Sequence, residues 1–193
     1  MHAVHHAPRH GQRRHGPGDQ FLLLYARVVL ETERKVRVLV AGVGNPWLRD
    51  LDFGPQFVRR VANYEWPQDV AIEDASVSAH RVLHLLQELR PERVVFVSGF
   101  PRGDPPGTVR RYPVDQSEMP DEEDVAAMMG EAAGGVIDFD HTLIVTRYFK
   151  ALPEDTMVIE IEAEDTTFGT GFSDSVESNL ERVIGFVREE VAR

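Results

Sequence analysis

The fold is decided by the stretch VRVLVAGVGNPWLRDLDFG, residues 36–54. An apolar run rich in β-branched residues ends at Gly42, which is typical of a buried β-strand. The chain leaves this strand through the glycine-rich segment GVGNP, and a helix is predicted to begin at Phe53 with Pro55 in its first turn. A buried strand that leads into a helix is the opening unit of a parallel α/β sheet.

The rest of the chain alternates between short apolar runs and amphipathic stretches. The runs predict strands over residues 36–42, 70–76, 94–99, 108–112 and 156–162. The stretches predict helices over residues 53–64, 79–89, 140–152 and 173–191, the last one capped by Ser173, and a short helix, DEEDVAAMMG, within residues 119–130. We therefore expect an α/β protein, a three-layer α/β/α sandwich with a mostly parallel sheet of about five strands, of the phosphorylase/hydrolase-like type.

Composition narrows the classes of function. The 193 residues fit a single globular α/β domain, which we place over residues 35–193. A formal charge of −11 argues against nucleic acid as a partner, because phosphate binding requires a basic face. The chain has no cysteine, which excludes disulfides, thiolate–zinc sites and a cysteine nucleophile and fits a reducing compartment.

Residues 1–34 differ from the rest, since they contain five of the eight histidines and several arginines. Their apolar run, residues 21–30, is far shorter than the roughly 20 residues that span a bilayer. It is interrupted by Arg27, and no small-x-small cleavage site follows, so it predicts neither a membrane helix nor a signal peptide. We expect a disordered His/Arg-rich leader with at most weak metal affinity, or translation from a start codon placed too early.

The segment GVGNP raises the question of nucleotide binding. A dinucleotide fingerprint requires a third glycine for close packing of helix on strand, and Trp47 stands at that position. A P-loop requires Gly-Lys-Ser/Thr, which is absent. The loop is not built to bind phosphate.

Reactive side chains follow the ends of the predicted strands, where open α/β sheets bind their ligands. Asp50 and Asp52 follow the first strand, Asp74 ends the second, and His141 lies at the start of a late helix. Two carboxylates with an imidazole suit a divalent ion such as nickel, zinc, iron or manganese. From spacing alone, Asp50 and Asp52 more often cap the following helix, and His141 equally fits a single hydrogen bond.

Other chemistries find less support in the sequence. His80 and His84 lie four residues apart on a predicted helix whose apolar residues cluster on the opposite side, so we interpret them as a solvated face. No G-x-S-x-G elbow and no Asp-Thr/Ser-Gly loop is present, which argues against serine hydrolases and aspartic proteases.

Several segments resemble the hydrogenase maturation endopeptidases. VLVAGVGNPWLRDLDFGPQFVRRV resembles the opening of that family, in which a strand ends in Gly-x-Gly-Asn and an acidic residue precedes the first helix. The resemblance continues through AIEDASVS, PPGTVRRY, DHTLIVTRYFKALPEDTMVIEIEAED and FGTGFSDSVESNLERVIGFV. It extends over residues 36–191.

The resemblance implies a nickel-dependent cytoplasmic protease that removes the C-terminal extension of a nickel–iron hydrogenase large-subunit precursor after nickel insertion. It implies that the precursor's own nickel is recognised by Asp52, Asp74 and His141. By strict count, the position of the family's first metal ligand falls on Leu51, which cannot bind a metal. We therefore expect Asp52 to be the ligand in its place, with Asp50 as the substitute for Asp52. A second departure is Ser98-Gly99, where the family often has Asp-Ala.

The catalytic group is not assigned by the sequence, and Asp52 and Asp74 are the candidates for a base that activates a metal-polarised water. The alternative is a metal-sensing or precursor-binding escort of the same fold that does not cut, which Leu51 favours. GVGNPW also resembles peptidyl-tRNA hydrolase, but the histidine base and the basic surface of that family are missing. We expect a monomer with no nucleic-acid or membrane partner.

Overall fold

The computed structural model describes residues 35–76, 79–117, 121, 123, 125–126 and 139–193. Lys35–Arg193 forms one compact unit. The predictions for the leader, and most of the short helix predicted within residues 119–130, lie outside the described residues.

Within this part of the chain, strands and helices alternate as predicted. The strands are β1 (Val38–Gly42), β2 (Val70–Asp74), β3 (Arg93–Phe100), β4 (Val109–Pro113) and β5 (Asp155–Glu162). The helices are α1 (Phe53–Val61), α2 (Ala79–Leu89), α3 (Phe139–Tyr148), α4 (Asp174–Glu177) and α5 (Leu180–Ala192). A short 3-10 helix, Arg49–Asp52, runs directly into α1.

The five strands form one sheet in the order β2-β1-β3-β5-β4. Neighbours are parallel from β2 to β5, and β4 pairs antiparallel with β5 at the edge. This arrangement confirms the predicted mostly parallel sheet of five strands. The carboxyl ends of its four parallel strands consequently meet at one edge.

Side chains alternate between the two faces of the sheet, and each face has its own apolar core. Val38 and Val40 pack in the core that contains residues of α1 and α5. Leu39 and Ala41 pack in the other core, together with residues of α2 and the first residue of α3. Helices therefore cover both faces, which confirms the three-layer sandwich.

The glycines of the opening stretch allow α1 to lie directly against β1. A Cβ atom added to Gly42 would stand 2.3 Å from the carbonyl oxygen of Gly54. A Cβ atom added to Gly54 would stand 2.4 Å from the backbone of Val43. No side chain fits between these two backbones, so the glycines bring the start of α1 to the carboxyl edge.

The predicted last helix is wrong in two respects. It is divided into α4 and α5, because Asn179 leaves the helical conformation with φ −103° and ψ 2° and its amide bonds to the carbonyl of Val176. Ser173 precedes α4 but its side chain makes no capping hydrogen bond. Its hydroxyl donates to Asp50 instead.

Among the helices of the described residues, none has the length and apolar character that crossing a membrane requires.

Candidate functional site

A pocket of about 300 Å³ opens beside the loop that leaves β1. It is lined by Pro46, Trp47, Asp52, Gln56, Arg59 and Thr170. The loops after β1 and β5 meet here, since the amide of Gly169 donates to the carbonyl of Trp47 at 2.8 Å. The pocket thus lies at the carboxyl edge of the sheet, where the sequence places ligand binding.

Asp52 lines this pocket with a carboxyl group that is almost entirely withdrawn from water. The residue is 7% exposed, and burial raises the pKa of its carboxyl group, while the nearby Arg59 guanidinium opposes that shift. Its Oδ1 is buried and has no hydrogen-bond partner, and its Oδ2 accepts a hydrogen bond of 3.2 Å from Arg59. Asp52 makes no capping bond to α1, so the capping alternative is wrong for this residue.

Arg59 joins the two predicted carboxylates. It lies seven residues after Asp52, two turns along α1, so both side chains can meet on one face. Its Nη1 stands 3.6 Å from Oδ2 of Asp74. Asp74 ends β2 beside Gly42, and its Oδ1 accepts hydrogen bonds from the amide and hydroxyl of Ser76 at 3.1 and 2.5 Å. The structure therefore brings Asp52 and Asp74 together across one guanidinium.

Asp50 has a structural role, since its side chain binds the segment that follows β5. It is fully buried, and its carboxylate accepts four hydrogen bonds from the segment that follows β5. The amides of Glu164 and Asp165 donate to Oδ2 at 2.9 Å each, and Ser173 donates with both its amide and its hydroxyl. Asp50 does not cap a helix either. Of the two acids in the loop, Asp52 alone lines the pocket.

His141 lies in the first turn of α3 and is half-buried. The preceding residue, Asp140, accepts two hydrogen bonds of 2.7 Å from Arg102, which follows the end of β3. The start of α3 is thereby tied to the carboxyl edge, as predicted. Within the described residues, however, no three His, Cys, Asp or Glu side chains stand close enough to hold a metal ion. The ligand set Asp52, Asp74 and His141 stays a prediction.

The two carboxylates themselves fit a cation. Asp52 offers a buried oxygen without a partner, and Asp74 contributes a second negative charge within reach of the same guanidinium. Carboxylate oxygens are suitable ligands for divalent ions of several kinds. The positive group that stands between these two carboxylates is the side chain of Arg59.

No protein-family model matches the sequence, and no curated protein matches it. Solved structures match its fold. The hydrogenase 2 maturation peptidase from a Thaumarchaeota archaeon is 24% identical with a TM-score of 0.56, covering 79% of this chain and 96% of that one. The hydrogenase-maturating endopeptidase HybD from E. coli is 22% identical with a TM-score of 0.58, and the match covers 79% of this chain and 90% of that one. The fold is that of the hydrogenase maturation peptidases. HycI from Thermococcus kodakarensis, 16% identical with a TM-score of 0.60, covers 86% of this chain and 99% of its own.

On this maturation-peptidase fold, the glycine in the departure Ser98-Gly99 has a steric reason. A Cβ atom at Gly99 would stand 2.2 Å from the carbonyl oxygen of Asp50. The 3-10 helix therefore lies directly on the backbone of β3, and any larger residue there would displace it. The hydroxyl of the neighbouring Ser98 is buried without a hydrogen-bond partner.

This chain also contains a polar network that the sequence did not predict. Arg102 donates hydrogen bonds to buried Glu160 at 3.1 and 3.0 Å in addition to those to Asp140. The same carboxylate helps to raise the pKa of Tyr112 to about 12, where burial is the larger cause. Arg102 comes two residues after β3, so the strand-end rule would have selected it. Arg59 could have been found from its two-turn spacing to Asp52.

The two histidines of α2, His80 and His84, are exposed, which confirms the predicted solvated face.

Proposed function

We propose that this protein is an endopeptidase that removes the C-terminal extension of a nickel–iron hydrogenase large-subunit precursor after nickel has been inserted. The observation that carries the proposal is the juxtaposition of Asp52 and Asp74 beside a pocket at the carboxyl edge, on a fold shared with maturation peptidases. The protein acts as a monomer in the cytoplasm.

In this proposal the nickel belongs to the precursor and is part of the substrate. Asp52, Asp74 and His141 recognise it, so that cleavage depends on successful insertion. Recognition of a metal that another protein holds requires an open site with exchangeable ligands. The half-open pocket beside Asp52 suits that requirement, because a peptide segment can enter it from solvent.

Asp52 is the better candidate for the base that activates the attacking water. A general base is most effective when its pKa lies near the working pH, and burial raises the pKa of Asp52 toward that range. Asp74 is partly exposed and its Oδ1 already accepts two hydrogen bonds from Ser76. Trp47, 62% exposed at the pocket, offers an apolar surface to the peptide that is cut.

The test uses purified precursor in nickel-loaded and nickel-free forms, each incubated with this protein and analysed by intact-mass spectrometry. Loss of a C-terminal fragment is expected only from the nickel-loaded form. Asp74→Asn and His141→Ala should each abolish the loss. Normal cleavage by both variants would show that the site is assigned wrongly.

Two matched variants serve as controls. Glu73→Gln neutralises the neighbouring acid on β2, which pairs with Arg81 rather than Arg59. His84→Ala removes an exposed histidine of α2. Both controls should cut at the rate of the unaltered protein.

The second candidate is an escort that binds the precursor without cutting it. Leu51 favours it, since a leucine stands where the family keeps an acidic ligand. A stable complex with nickel-loaded precursor, isolated by gel filtration without any mass loss, would support the escort and exclude the peptidase.

A further inference from the structure

Arg59 occupies the position of a counter-ion between Asp52 and Asp74. Its guanidinium stands 3.2 Å from one carboxylate and 3.6 Å from the other. A divalent cation that bound both carboxylates would need the space and the charge balance that this guanidinium now provides. Two positive groups cannot share that position, because their repulsion in a partly buried site is large.

The contacts of Arg59 are loose enough to be exchanged. Its side chain is 57% exposed, and only one of its two contacts has hydrogen-bond geometry. The next residue, Arg60, provides a comparison, since it holds Glu177 with two hydrogen bonds of 2.5 and 2.8 Å. A guanidinium held on one side by a single long bond can turn into solvent at modest cost.

We propose that Arg59 is an internal counter-ion that closes the Asp52–Asp74 pair and is displaced when a divalent cation enters. The inference rests on the proposed function only in taking this pair as the cation site. Its consequence is selectivity: free nickel ions must compete with a tethered positive charge and bind weakly. Nickel that a docked precursor presents at the pocket can displace Arg59, because the binding energy of the whole interface between the two proteins offsets the cost.

The test measures binding of NiCl₂ to the full chain by the fluorescence of Trp47, which lines the pocket. All proteins carry Trp66→Phe, because Trp47 and Trp66 are the two tryptophans of the chain. Arg59→Gln is compared with Arg60→Gln, which removes the same charge one residue along the same helix. The His-rich leader is identical in every protein, so the difference between variants isolates the pocket.

We expect Arg59→Gln to bind Ni²⁺ about tenfold more tightly than Arg60→Gln, as removal of a competing charged hydrogen bond implies. Adding Asp52→Asn to Arg59→Gln should abolish that gain. Equal affinities of the two single variants within about twofold would overturn the inference, and so would a gain that persists without Asp52.

Arg59→Lys against Arg60→Lys gives the same comparison with less risk to folding. The lysine keeps the charge but loses the planar fork that reaches both carboxylates, so a smaller gain is expected only at position 59. Because no precursor is present, the result is independent of cleavage. If Arg59→Gln tightens nickel binding but no precursor is cleaved, the peptidase is refuted and the inference on Arg59 stands. If the precursor is cleaved but the two variants bind nickel equally, the inference on Arg59 is refuted and the peptidase stands.

Discussion

Ser173 donates two hydrogen bonds to Asp50, from its amide to Oδ1 at 2.8 Å and from its hydroxyl to Oδ2 at 2.7 Å. Residue 173 precedes α4, and residue 50 lies in the 3-10 helix before α1. One buried carboxylate therefore holds together the loops that follow β1 and β5. The pocket beside Asp52 depends on this connection, since Trp47 and Thr170 come from those two loops.

Replacing Asp50 should destabilise the protein more than replacing any other acid of this region. Asp50→Ala leaves the amides of Glu164, Asp165 and Ser173 without the buried carboxylate that accepts from them, and the expected loss is about 3 kcal/mol in the free energy of unfolding. Urea unfolding followed by circular dichroism measures it. Asp174→Ala, at an exposed position of α4, should cost less than about 1 kcal/mol. Similar losses for the two variants would contradict the structural role of Asp50.

Asp52→Asn should stabilise the protein at neutral pH, in contrast to the replacement of Asp50. Burial raises the pKa of Asp52 above its ordinary value of 3.8, so the folded state binds more protons than the unfolded state between these two pKa values. The free energy of unfolding falls as the pH rises through that interval, and the full cost is present above the folded-state pKa. The asparagine removes this cost, so the variant should be the more stable protein at pH 7.

Well below pH 3.8, Asp52 is protonated in both the folded and the unfolded state. The difference in unfolding free energy between the variant and the unaltered protein should therefore vanish there. Urea unfolding of both proteins between pH 7 and the acid range measures this convergence of their unfolding free energies. A variant that is less stable at pH 7 would mean that the bond from Arg59 outweighs the burial of the charge.

Glu190 and Glu189 are adjacent on α5 and should differ sharply in their contribution to stability. Glu190 is 0% exposed and accepts a bond of 2.9 Å from Arg93, with Arg111 and Arg193 around it. Glu190→Ala should cost about 3–5 kcal/mol in unfolding free energy, because it leaves a buried arginine without this partner.

Glu189→Ala is the matched control for that change. Its side chain is largely exposed and pairs with Arg111 at the surface, so we expect a loss below about 1 kcal/mol. Chemical denaturation of both variants under the same conditions makes the comparison. Equal losses would show that the buried pair contributes no more than the exposed one.

Arg102→Lys should reduce cleavage as well as stability. The lysine keeps the charge but loses the fork that binds Asp140 and Glu160 at once, so the start of α3 and the adjacent His141 lose their fixed position. A misplaced group at a reacting centre costs on the order of 10–100-fold in rate. Single-turnover cleavage of nickel-loaded precursor, at a temperature where the variant is folded, measures the effect. An unchanged rate in the folded variant would limit Arg102 to stability.

The sheet and most of its elements could be predicted because their signals are local. β1 is an apolar run that ends in glycine, and α2 is an amphipathic segment that ends before Arg90-Pro91, so its bounds agree with the prediction. The division between α4 and α5 could not be predicted from periodicity. Apolar residues continue at helical spacing through it, and the break depends on the backbone of Asn179.

The roles of individual acids were harder to predict because they depend on contacts far apart in the chain. Asp50 and Asp52 are equivalent by spacing, yet one binds a loop more than a hundred residues away and the other faces the pocket. Asp74 was placed correctly at the edge, since a strand end determines its position. The ion pair between Arg59 and Asp74 becomes visible only once α1 and β2 lie side by side.

The contact between Gly42 and Gly54 has a mechanical consequence for the site. Asp52 directly precedes α1 and Arg59 lies in its last turn, so both move with the helix, whereas Asp74 belongs to the sheet. A sliding helix would keep the first ion pair and break the second. The backbone of Gly54 and the side chain of Val58 both lie directly against Gly42, so α1 has no room to slide at this point. The glycine pair therefore fixes the position of α1 on the sheet, and the displacement of Arg59 that we propose is a movement of its side chain alone.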